Sequence, residues 1–531
     1  MNGWRRTAAA AAAAVLLTVV TGVIVRLDPA LNAVQPLGLY VVAWAVFAGG
    51  AWLVLGTRPR HAVPVILLGG IALQLAAITM PSFGSDDLYR YVWDGRVQAA
   101  GIDPYRYVPA APQLAGLRDA ALWPATGTYC VGLDRGPGVP AVPAGLFRVG
   151  APAAAPGLPP GCTLINRPRV PTIYPPVAEA YFTTVSELAP PGARVTLPIQ
   201  AAGALCAIAT SVLLAFGLRR LGRDPRLAVL WAWCPVTALQ AGNGAHVDVL
   251  AAFLTVAALL VLARPGGRRR GVAGGVLLGL AIATKVTPVL AVPAVLRRRP
   301  VLVATAIAGA TAAVYLPHVL AVGRHVIGFL PAYLTQGGYG TGDRFELVSL
   351  IAPGRWATLA AVLLLAGTGL AVLGRADPGR PWRGALVMTG AALAVTTPSL
   401  LWYPMLLVAL VAMDGRAEWL ALAAARYLTP LHPLRSELGL TWHWAGQVGY
   451  GGALLVVAAV SWRRSRQPGH GSRPGQGPGQ QGQLPGDLVD LVAPAHDAER
   501  AGREVLRPGA GQLGEVVVAD PVGLGGGQHV D

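Results

Sequence analysis

Apolar stretches alternate with short polar segments along most of the chain, and most of them approach the roughly 20 residues that a membrane-spanning helix needs. About 14 such stretches can be delimited. They cover residues 7–25, 37–56, 62–80, 196–218, 227–242, 247–263, 271–287, 288–296, 300–317, 356–373, 384–397, 401–413, 417–430 and 444–461. The pattern predicts an all-α polytopic membrane protein with about 12–14 transmembrane helices. The short stretches within 271–296 and 384–413 predict bent or re-entrant segments.

Composition also indicates a chain that lies mostly in lipid. Of the 531 residues, 54% are hydrophobic and 13% are charged, whereas a soluble domain carries about 25% charged residues. The mean hydropathy is +0.53. The net charge of +17 does not indicate nucleic-acid binding, because the arginines form short clusters between apolar stretches and no continuous basic stripe with aromatics.

The distribution of arginine predicts the orientation in a cell membrane. With a cytoplasmic N-terminus, about 22 arginines fall in cytoplasmic segments and about six in short outer loops, in accord with the positive-inside rule. Both termini are then cytoplasmic. Arg5 and Arg6 could instead begin a signal peptide, but the apolar run of about 19 residues exceeds the usual 7–15 and favours a retained anchor.

The apolar pattern divides the chain into four regions. Residues 1–80 are N-terminal transmembrane helices, and residues 81–195 form a long extracytoplasmic loop. Residues 196–465 are the transmembrane bundle, and residues 466–531 form a tail rich in Gly, Pro and Gln. The tail composition predicts a disordered cytoplasmic segment.

The four cysteines fall into two groups. Cys130 and Cys162 lie in the outer loop, where they could form a disulfide or remain two free thiols. Cys206 and Cys234 lie in apolar stretches and are interpreted as small hydrophobic residues. Because no cysteine or histidine cluster has metal-ligand spacing, the sequence predicts no metal and no other cofactor.

The segment after the third apolar stretch, PSFGSDDLYRYVWDGRVQAAGIDPYRY, carries an unusual acidic pair. Ser85 predicts a helix N-cap, with Asp86 and Asp87 in the first turn and a helix end near Ala100, before Gly101. Acids at a helix N-terminus can simply be stabilised by the helix dipole, by about 0.3–1 kcal/mol. One acid would suffice for that purpose, so the pair predicts a functional role, with Asp87 the first choice and Asp86 the second.

The helical spacing of this segment assigns further candidates. Asp87, Tyr91 and Asp94 share one face of the predicted helix, so Tyr91 and Asp94 are candidates for binding substrate. Asp86 faces Arg90 four residues later, and Arg90 is a candidate for binding phosphate.

The same segment resembles a known enzyme family. The DLxxY-like string from Asp87 and the GxxPY string from Gly101, at the head of the first large outer loop, are similar to glycosyltransferase family 87 of the glycosyltransferase-C superfamily. That family includes polyprenyl-phosphate-mannose-dependent mannosyltransferases of actinobacteria, and the resemblance covers roughly residues 60–410. It implies an inverting transfer of a sugar, with mannose preferred, from a polyprenyl monophosphate. The acceptor would be a glycolipid, a polysaccharide or a protein, and Asp87 would be the base.

Lys285 is a candidate for binding the donor phosphate. It lies about 14 residues beyond Gly271, which places it about 21 Å along a helix in a bilayer core of about 30 Å. A lysine there costs roughly 2.5–3.5 kcal/mol, so it is expected to face a cavity or a partner, unless it reaches the headgroups along its long side chain. The KxxP string that it begins also resembles the superfamily's position near the lipid phosphate.

Other candidates lie at predicted outer turns. His246 and Asp248 belong to the tight turn AGNGAHVDVL, with His246 assigned to phosphate and Asp248 to substrate. Arg344, in a glycine-rich loop, could bind phosphate in bidentate fashion or pair with Asp343 or Glu346. Tyr174 and Tyr403 could contact sugar or lipid, or form an ordinary interfacial aromatic belt. Tyr105 of the GxxPY string is a further candidate for binding substrate.

Two other classes of protein would share this topology. A transporter or flippase of lipid-linked sugars would carry charges near the midplane and paired broken helices in two halves. A non-catalytic scaffold would not need an acidic pair and a lysine at one outer site. Because the acids gather at the outer helix ends, the sequence favours a membrane glycosyltransferase with an extracytoplasmic active site.

Overall fold

The computed structural model describes residues 3–27, 35–82, 85–123, 163–427 and 444–466. Within these ranges the regular structure is helical and contains no β-sheet, which confirms the predicted all-α class. Cys130 and Cys162, for which a disulfide and two free thiols both remained open, and the tail from residue 467 onward lie outside the described residues.

The helices are numbered in chain order. They are α1 (Gly3–Ile24), α2 (Gln35–Leu55), α3 (Pro59–Ala77), α4 (Asp87–Ala99), α5 (Pro176–Glu187), α6 (Leu197–Arg220), α7 (Val229–Ala232), α8 (Asp248–Leu262), α9 (Arg268–Ile282), α10 (Val292–Val295), α11 (Pro300–Val322), α12 (Leu330–Gln336), α13 (Arg355–Arg375), α14 (Pro381–Thr396), α15 (Met405–Asp414), α16 (Leu420–Ala424) and α17 (Trp444–Arg466). A π-helical segment, Thr237–Asn243, precedes α8.

Seven helices in the described part of the chain are long and apolar enough to cross a membrane, or up to eight if the π-helical segment and α8 form one broken span. These two elements meet at an angle of 116°. The chain is therefore a multi-pass membrane protein, as predicted, but several predicted spans are shorter helices. The stretch 227–242 is divided between α7 and the π-helical segment, and a 3-10 helix, Thr287–Ala291, lies within 271–296.

Close helix packing in the bundle depends on small residues. Helix α9 packs against α8 and α11. A side chain on Gly279 of α9 would place its Cβ 2.6 Å from the backbone oxygen of Ile307 in α11, which is closer than real Cβ atoms approach. Small residues of this kind let two membrane helices approach closely. The contact fixes α9, and with it the position of the residues that follow its end.

Helices α4 and α5, which lie between α3 and α6 in the sequence, pack against each other. Asp86 is the N-cap of α4, and Ser85 accepts a hydrogen bond of 3.3 Å from the Asp87 backbone N–H. Helix α4 thus begins one residue later than predicted, because Asp86 rather than Ser85 occupies the cap position. Gly95 of α4 touches the backbone of Phe182 in α5, where a Cβ would lie 2.4 Å from the carbonyl oxygen.

Asn243 joins the π-helical segment to the chain that leaves α3. Its side-chain amide donates hydrogen bonds of 3.0 Å to the Ala77 carbonyl oxygen and 3.0 Å to the Pro81 carbonyl oxygen. Ala77 is the last residue of α3, where the last backbone oxygens of a helix lack intrahelical partners, and Pro81 lies four residues beyond it. The turn that carries His246 is therefore attached to the segment that leads to Asp86 and Asp87.

Candidate active site

The two adjacent acids are bridged by one amide. The Asn166 side chain donates hydrogen bonds of 2.6 Å to Asp87 Oδ1 and 3.0 Å to Asp86 Oδ1. Asn166 comes from a segment far along the chain, just before α5. A single donor shared by two carboxylates holds them in a fixed relation to each other.

Burial changes the proton affinity of both acids. The pKa of Asp87 is raised to about 6, first by burial and then by repulsion from Asp86, while the charge of Lys285 and the Asn166 hydrogen bond oppose the rise. Burial likewise raises the pKa of Asp86, against the Asn166 hydrogen bond and the charge of Arg167. A carboxyl that titrates near neutral pH can accept a proton and give it up again, which suits a general base.

His246 lies directly beside Asp87. Its Nδ1 is 3.7 Å from Asp87 Oδ2 and 3.5 Å from the Tyr91 hydroxyl oxygen. The imidazole is fully buried and stacks on Trp402 with 3.8 Å between ring centroids and 16° between planes. Its Nε2 has no hydrogen-bond partner among the described residues. The stacking fixes the ring plane, so Nε2 is an unused polar atom next to the acids.

Lys285 has a charged partner, Asp248, as expected for a lysine in the membrane core. It follows the end of α9, and its Nζ donates a hydrogen bond of 3.0 Å to Asp248 Oδ2 at the first position of α8. The same ammonium lies 5.7 Å from the centroid of the Tyr174 ring. The Lys285 side chain is 20% exposed and that of Asp248 is 5% exposed. The pair therefore retains limited access to solvent or ligand.

Tyr174 and Tyr105 differ in their surroundings. Tyr174 packs edge-on against Tyr91, with 4.9 Å between ring centroids, and lies under Lys285. Tyr105 is buried, and its hydroxyl donates a hydrogen bond of 2.6 Å to the Tyr174 carbonyl oxygen. Tyr174 thus belongs to the cluster around Lys285, whereas Tyr105 supports the backbone of Tyr174.

Arg90 does not pair with Asp86 as predicted. Its Nε donates to both carboxylate oxygens of Asp94, at 2.9 and 2.8 Å, and its Nη1 donates to the Val170 carbonyl oxygen at 3.2 Å. Both side chains are only 4% exposed. The predicted pairing with Asp86 was wrong. Arg90 has an acid four residues away in each direction, and it pairs with Asp94, which is buried. Arg90 and Asp94 are held by each other, although Arg90 Nη2 has no hydrogen-bond partner among the described residues, and their assignments to phosphate and substrate stay predictions.

Arg344 remains separate from the acids nearest to it in sequence. Glu346 pairs with Arg426 at 3.0 Å, and Asp343 accepts a hydrogen bond from Thr341. The Arg344 guanidinium lies against the Tyr403 ring, 6.0 Å from its centroid, and its Nε and Nη2 atoms have no hydrogen-bond partner in the described ranges. The predicted alternative of pairing with Asp343 or Glu346 is not observed.

Tyrosines extend from Arg344 towards Lys285. The hydroxyl of Tyr403 shares a hydrogen bond with the hydroxyl of Tyr333, and Tyr333 interacts electrostatically with Lys285. Tyr403 therefore takes part in the cluster, and Trp402 beside it stacks on His246. The structure brings the predicted phosphate candidates His246, Lys285 and Arg344 around one group of polar and aromatic residues.

Two members of the cluster were not predicted from the sequence. Asn166 and Tyr333 carry no motif that marks them. Arg167 follows Asn166 with a left-handed backbone (φ 48°), which is unusual for a residue other than glycine.

Across the described ranges, no group of three or more His, Cys, Asp or Glu side chains is arranged to hold a metal ion.

The comparison with protein families agrees with this chemistry. The model of glycosyltransferase family 87 matches residues 172–404. Residues 172–404 are therefore similar to glycosyltransferase family 87. The match confirms the resemblance seen in the sequence and indicates a membrane glycosyltransferase. Neither the curated proteins nor the solved structures contain a match to the chain.

Residues 172–404, which match the family 87 model, contain part of the cluster. They include the turn with His246 and Asp248, Lys285, Arg344 and Tyr403, but they begin after Asp86 and Asp87. The acids are therefore linked to the family 87 region by geometry, through the contact between Asp87 and His246.

Proposed function

We propose that this family 87 protein transfers a sugar, with mannose preferred, from a polyprenyl monophosphate to the hydroxyl of an extracytoplasmic acceptor. The acceptor would be a glycolipid, a polysaccharide or a protein. The observation that carries the proposal is the position of Asp87, a carboxyl that titrates near pH 6, beside His246 and within electrostatic reach of Lys285. A base and a nearby cation are the groups that transfer from a lipid phosphate requires.

Asp87 acts as the general base in this scheme. Its carboxylate takes the proton of the acceptor hydroxyl while the acceptor oxygen bonds to the anomeric carbon of the sugar. The bond from that carbon to the phosphate oxygen breaks, and polyprenyl phosphate leaves with the electron pair. A positioned base accelerates such a step by about 10²–10⁴-fold. The single displacement inverts the anomeric centre, so that a β-linked donor gives an α-linked product.

The cationic side of the cluster receives the leaving phosphate. Lys285 is held by Asp248 and lies over Tyr174, so its ammonium is positioned before the donor binds. The unused Nε2 of His246 and the unpaired atoms of Arg344 supply further donors. Donors that are already in place stabilise the charge that develops on the phosphate without reorganisation during the reaction.

The arginine distribution supports an active site on the extracytoplasmic side, with both termini in the cytoplasm. Helices α8 and α9 each have one end at the cluster and the other end in an arginine-containing segment, Arg264 and Arg268. Arginine-rich ends are favoured in the cytoplasm. The cluster at the opposite ends would then face the other side of the membrane.

The test uses purified full-length protein with a panel of polyprenyl-phosphate sugars and membrane acceptors. Wild-type protein should transfer labelled mannose, and Asp87→Asn should lower the rate by at least about 10²-fold because the base is lost. Thr183→Val, which removes a hydrogen bond between α5 and Gln98 of α4, should transfer normally. Undiminished transfer by Asp87→Asn would refute the assignment of the base. Movement of labelled lipid across the bilayer without a glycoside would support a transporter instead.

A further inference from the structure

A cavity of about 160 Å³ lies at the ends of α8 and α9 opposite to the candidate active site. Its lining includes Leu262 at the end of α8, Arg270 in the first turn of α9, and Arg299 immediately before α11. Helix α8 runs from Asp248 in the active-site cluster to this cavity. Its 15 residues give a separation of about 22 Å at 1.5 Å per residue, so the cavity is distinct from the active site.

The cavity has a strong positive charge. Four arginines and no acidic residue line it, namely Arg264, Arg270, Arg298 and Arg299. The nearest acid along the chain is Asp377, beside the lining residue Pro378, and its side chain already accepts a hydrogen bond of 2.8 Å from the Gly379 backbone N–H. Four cations without a counter-charge among them make a site for an anion.

The four arginines differ in their contacts. The side chain of Arg264 donates a hydrogen bond to the Arg220 carbonyl oxygen, and that of Arg270 donates one to the Pro265 carbonyl oxygen. Over the described residues, Arg298 and Arg299 make no side-chain hydrogen bond or ion pair. Arg299 also has a left-handed backbone (φ 52°), a conformation that costs free energy in a residue other than glycine. The chain therefore holds two free guanidinium groups at one cavity.

The rest of the lining indicates what kind of anion fits. Val261, Val295 and Val303 form apolar walls beside the arginines. The cavity lies at helix ends, where the headgroups of a bilayer meet its hydrocarbon. A molecule with a phosphate next to an apolar body matches both surfaces, because arginine binds phosphate oxygens in bidentate fashion and valine packs against hydrocarbon.

We propose that this cavity binds the phosphate group of an anionic phospholipid. Basic pockets between membrane helices are suited to such headgroups because charge attraction and apolar contact act together. The site is independent of the sugar-transfer proposal, since it shares no residue with the catalytic cluster. Its occupant would contact the ends of α8, α9 and α11 and so would fix the helices that carry Asp248 and Lys285.

The test measures phospholipid binding to the full-length protein. Protein purified in detergent is titrated with dioleoyl-phosphatidylglycerol, and bound lipid is counted by native mass spectrometry. Arg298→Gln combined with Arg299→Gln should weaken binding by about thirtyfold, because each arginine near an anionic membrane surface contributes about fivefold. The matched control is Arg268→Gln combined with Arg269→Gln, which removes the same charge from exposed positions at the same end of α9 outside the cavity.

The outcomes separate a built site from diffuse charge. Loss in the cavity variant with retention in the control supports the proposal. Equal loss in both variants, or no loss in either, overturns it. The pair Arg298→Lys and Arg299→Lys keeps the charge and should retain most binding, which guards against a folding defect. Inorganic phosphate and dioleoyl-phosphatidylcholine are titrated in parallel, and binding of either as tight as that of phosphatidylglycerol would overturn the assignment to an anionic lipid.

Discussion

Asn166 donates a hydrogen bond of 2.6 Å to Asp87, and the same amide nitrogen lies 3.0 Å from Asp86. The two acids are adjacent in sequence, and each repels the negative charge of the other. A donor that serves both carboxylates stabilises their ionised forms together. Asn166 is thereby a positioning residue for the proposed base, although it does not itself take a proton.

Replacing Asn166 should move the acid limb of the pH profile. In Asn166→Ala, the pKa of Asp87 should rise by about one unit from its value of about 6, because a hydrogen bond to a charged group contributes about 1.5 kcal/mol. The pH of half-maximal kcat/KM should rise equally. Asn166→Asp should raise it further, because a third carboxyl adds repulsion. The groups that also face the pair are unchanged in both variants, namely Tyr91, Arg167, Tyr174, His246, Asp248 and Lys285.

A second readout does not depend on sugar transfer. Carbodiimides react with protonated carboxyl groups, so the pH midpoint for labelling the peptide that contains Asp86 and Asp87 reports their protonation directly. It should shift upward in Asn166→Ala and stay in place in Thr183→Val. A uniform fall in rate at every pH, with an unchanged labelling midpoint, would reduce Asn166 to a purely structural role.

The wild-type protein should lose activity in mild acid. Asp87 must be ionised to accept a proton, and its pKa is raised to about 6. Below that pH, kcat/KM should fall about tenfold per unit, because each unit lowers the ionised fraction tenfold. Between pH 7 and 8 the carboxyl is ionised and the rate should be nearly constant on this limb. Initial rates in detergent from pH 5 to 8 measure the profile, and a flat profile would exclude Asp87 as the base.

Lys285 and Asp248 should contribute differently to activity and stability. Lys285→Met removes a phosphate-binding cation and should lower kcat/KM by about 10²-fold, since preorganised charge stabilises the leaving phosphate. It also leaves the Asp248 carboxylate unpaired, which should cost about 1–3 kcal/mol; the full 3–5 kcal/mol of a buried pair is not expected because Lys285 is 20% exposed.

The double variant Lys285→Met with Asp248→Leu separates the two effects. Removing both charges should restore much of the thermal stability but none of the sugar transfer. Stability is measured by thermal unfolding in detergent, and transfer by the labelled-donor assay. A double variant that recovers transfer would show that Lys285 only neutralises Asp248.

Arg90 and Arg344 should separate folding from donor binding. Arg90→Ala leaves Asp94 as an unpaired buried charge, so it should destabilise the protein by about 3–5 kcal/mol. Arg344→Ala should leave stability nearly unchanged and raise the KM for the lipid donor, because its free donor atoms are not used within the described structure. Thermal unfolding and donor titrations distinguish the two. A larger rise in donor KM for Arg90→Ala than for Arg344→Ala, at equal stability, would reverse the assignment.

The predictable features were those with a local cause. The helix that follows the acidic pair was predicted from capping and turn residues, and α4 (Asp87–Ala99) ends within one residue of the predicted position. Lys285 was expected to have a partner because an isolated charge in a membrane is costly, and Asp248 is that partner. Both inferences need only the chain near the residue concerned.

Features that depend on long-range packing were not predictable. Asn166 reaches Asp87 across 79 positions, and nothing in its neighbouring residues marks it. Arg90 could pair with an acid on either side, and the hydrogen bond to the Val170 carbonyl oxygen that accompanies the Asp94 pair spans 80 positions of the chain. The number of long spans also depends on where helices break, and the apolar stretch 227–242 is divided between α7 and the π-helical segment Thr237–Asn243.

The Asn243 side chain has a mechanical consequence for the proposed reaction. It ties the π-helical segment to the carbonyl oxygens of Ala77 and Pro81, so the turn with His246 and the strand of chain leading to Asp87 share one anchor. If the break before α8 tilts to admit a lipid, both groups are carried by the same displacement. The distance between Asp87, the proton acceptor, and His246, a hydrogen-bond donor to the phosphate, then stays constant while the entrance changes. Substrate can therefore enter without separating these two groups.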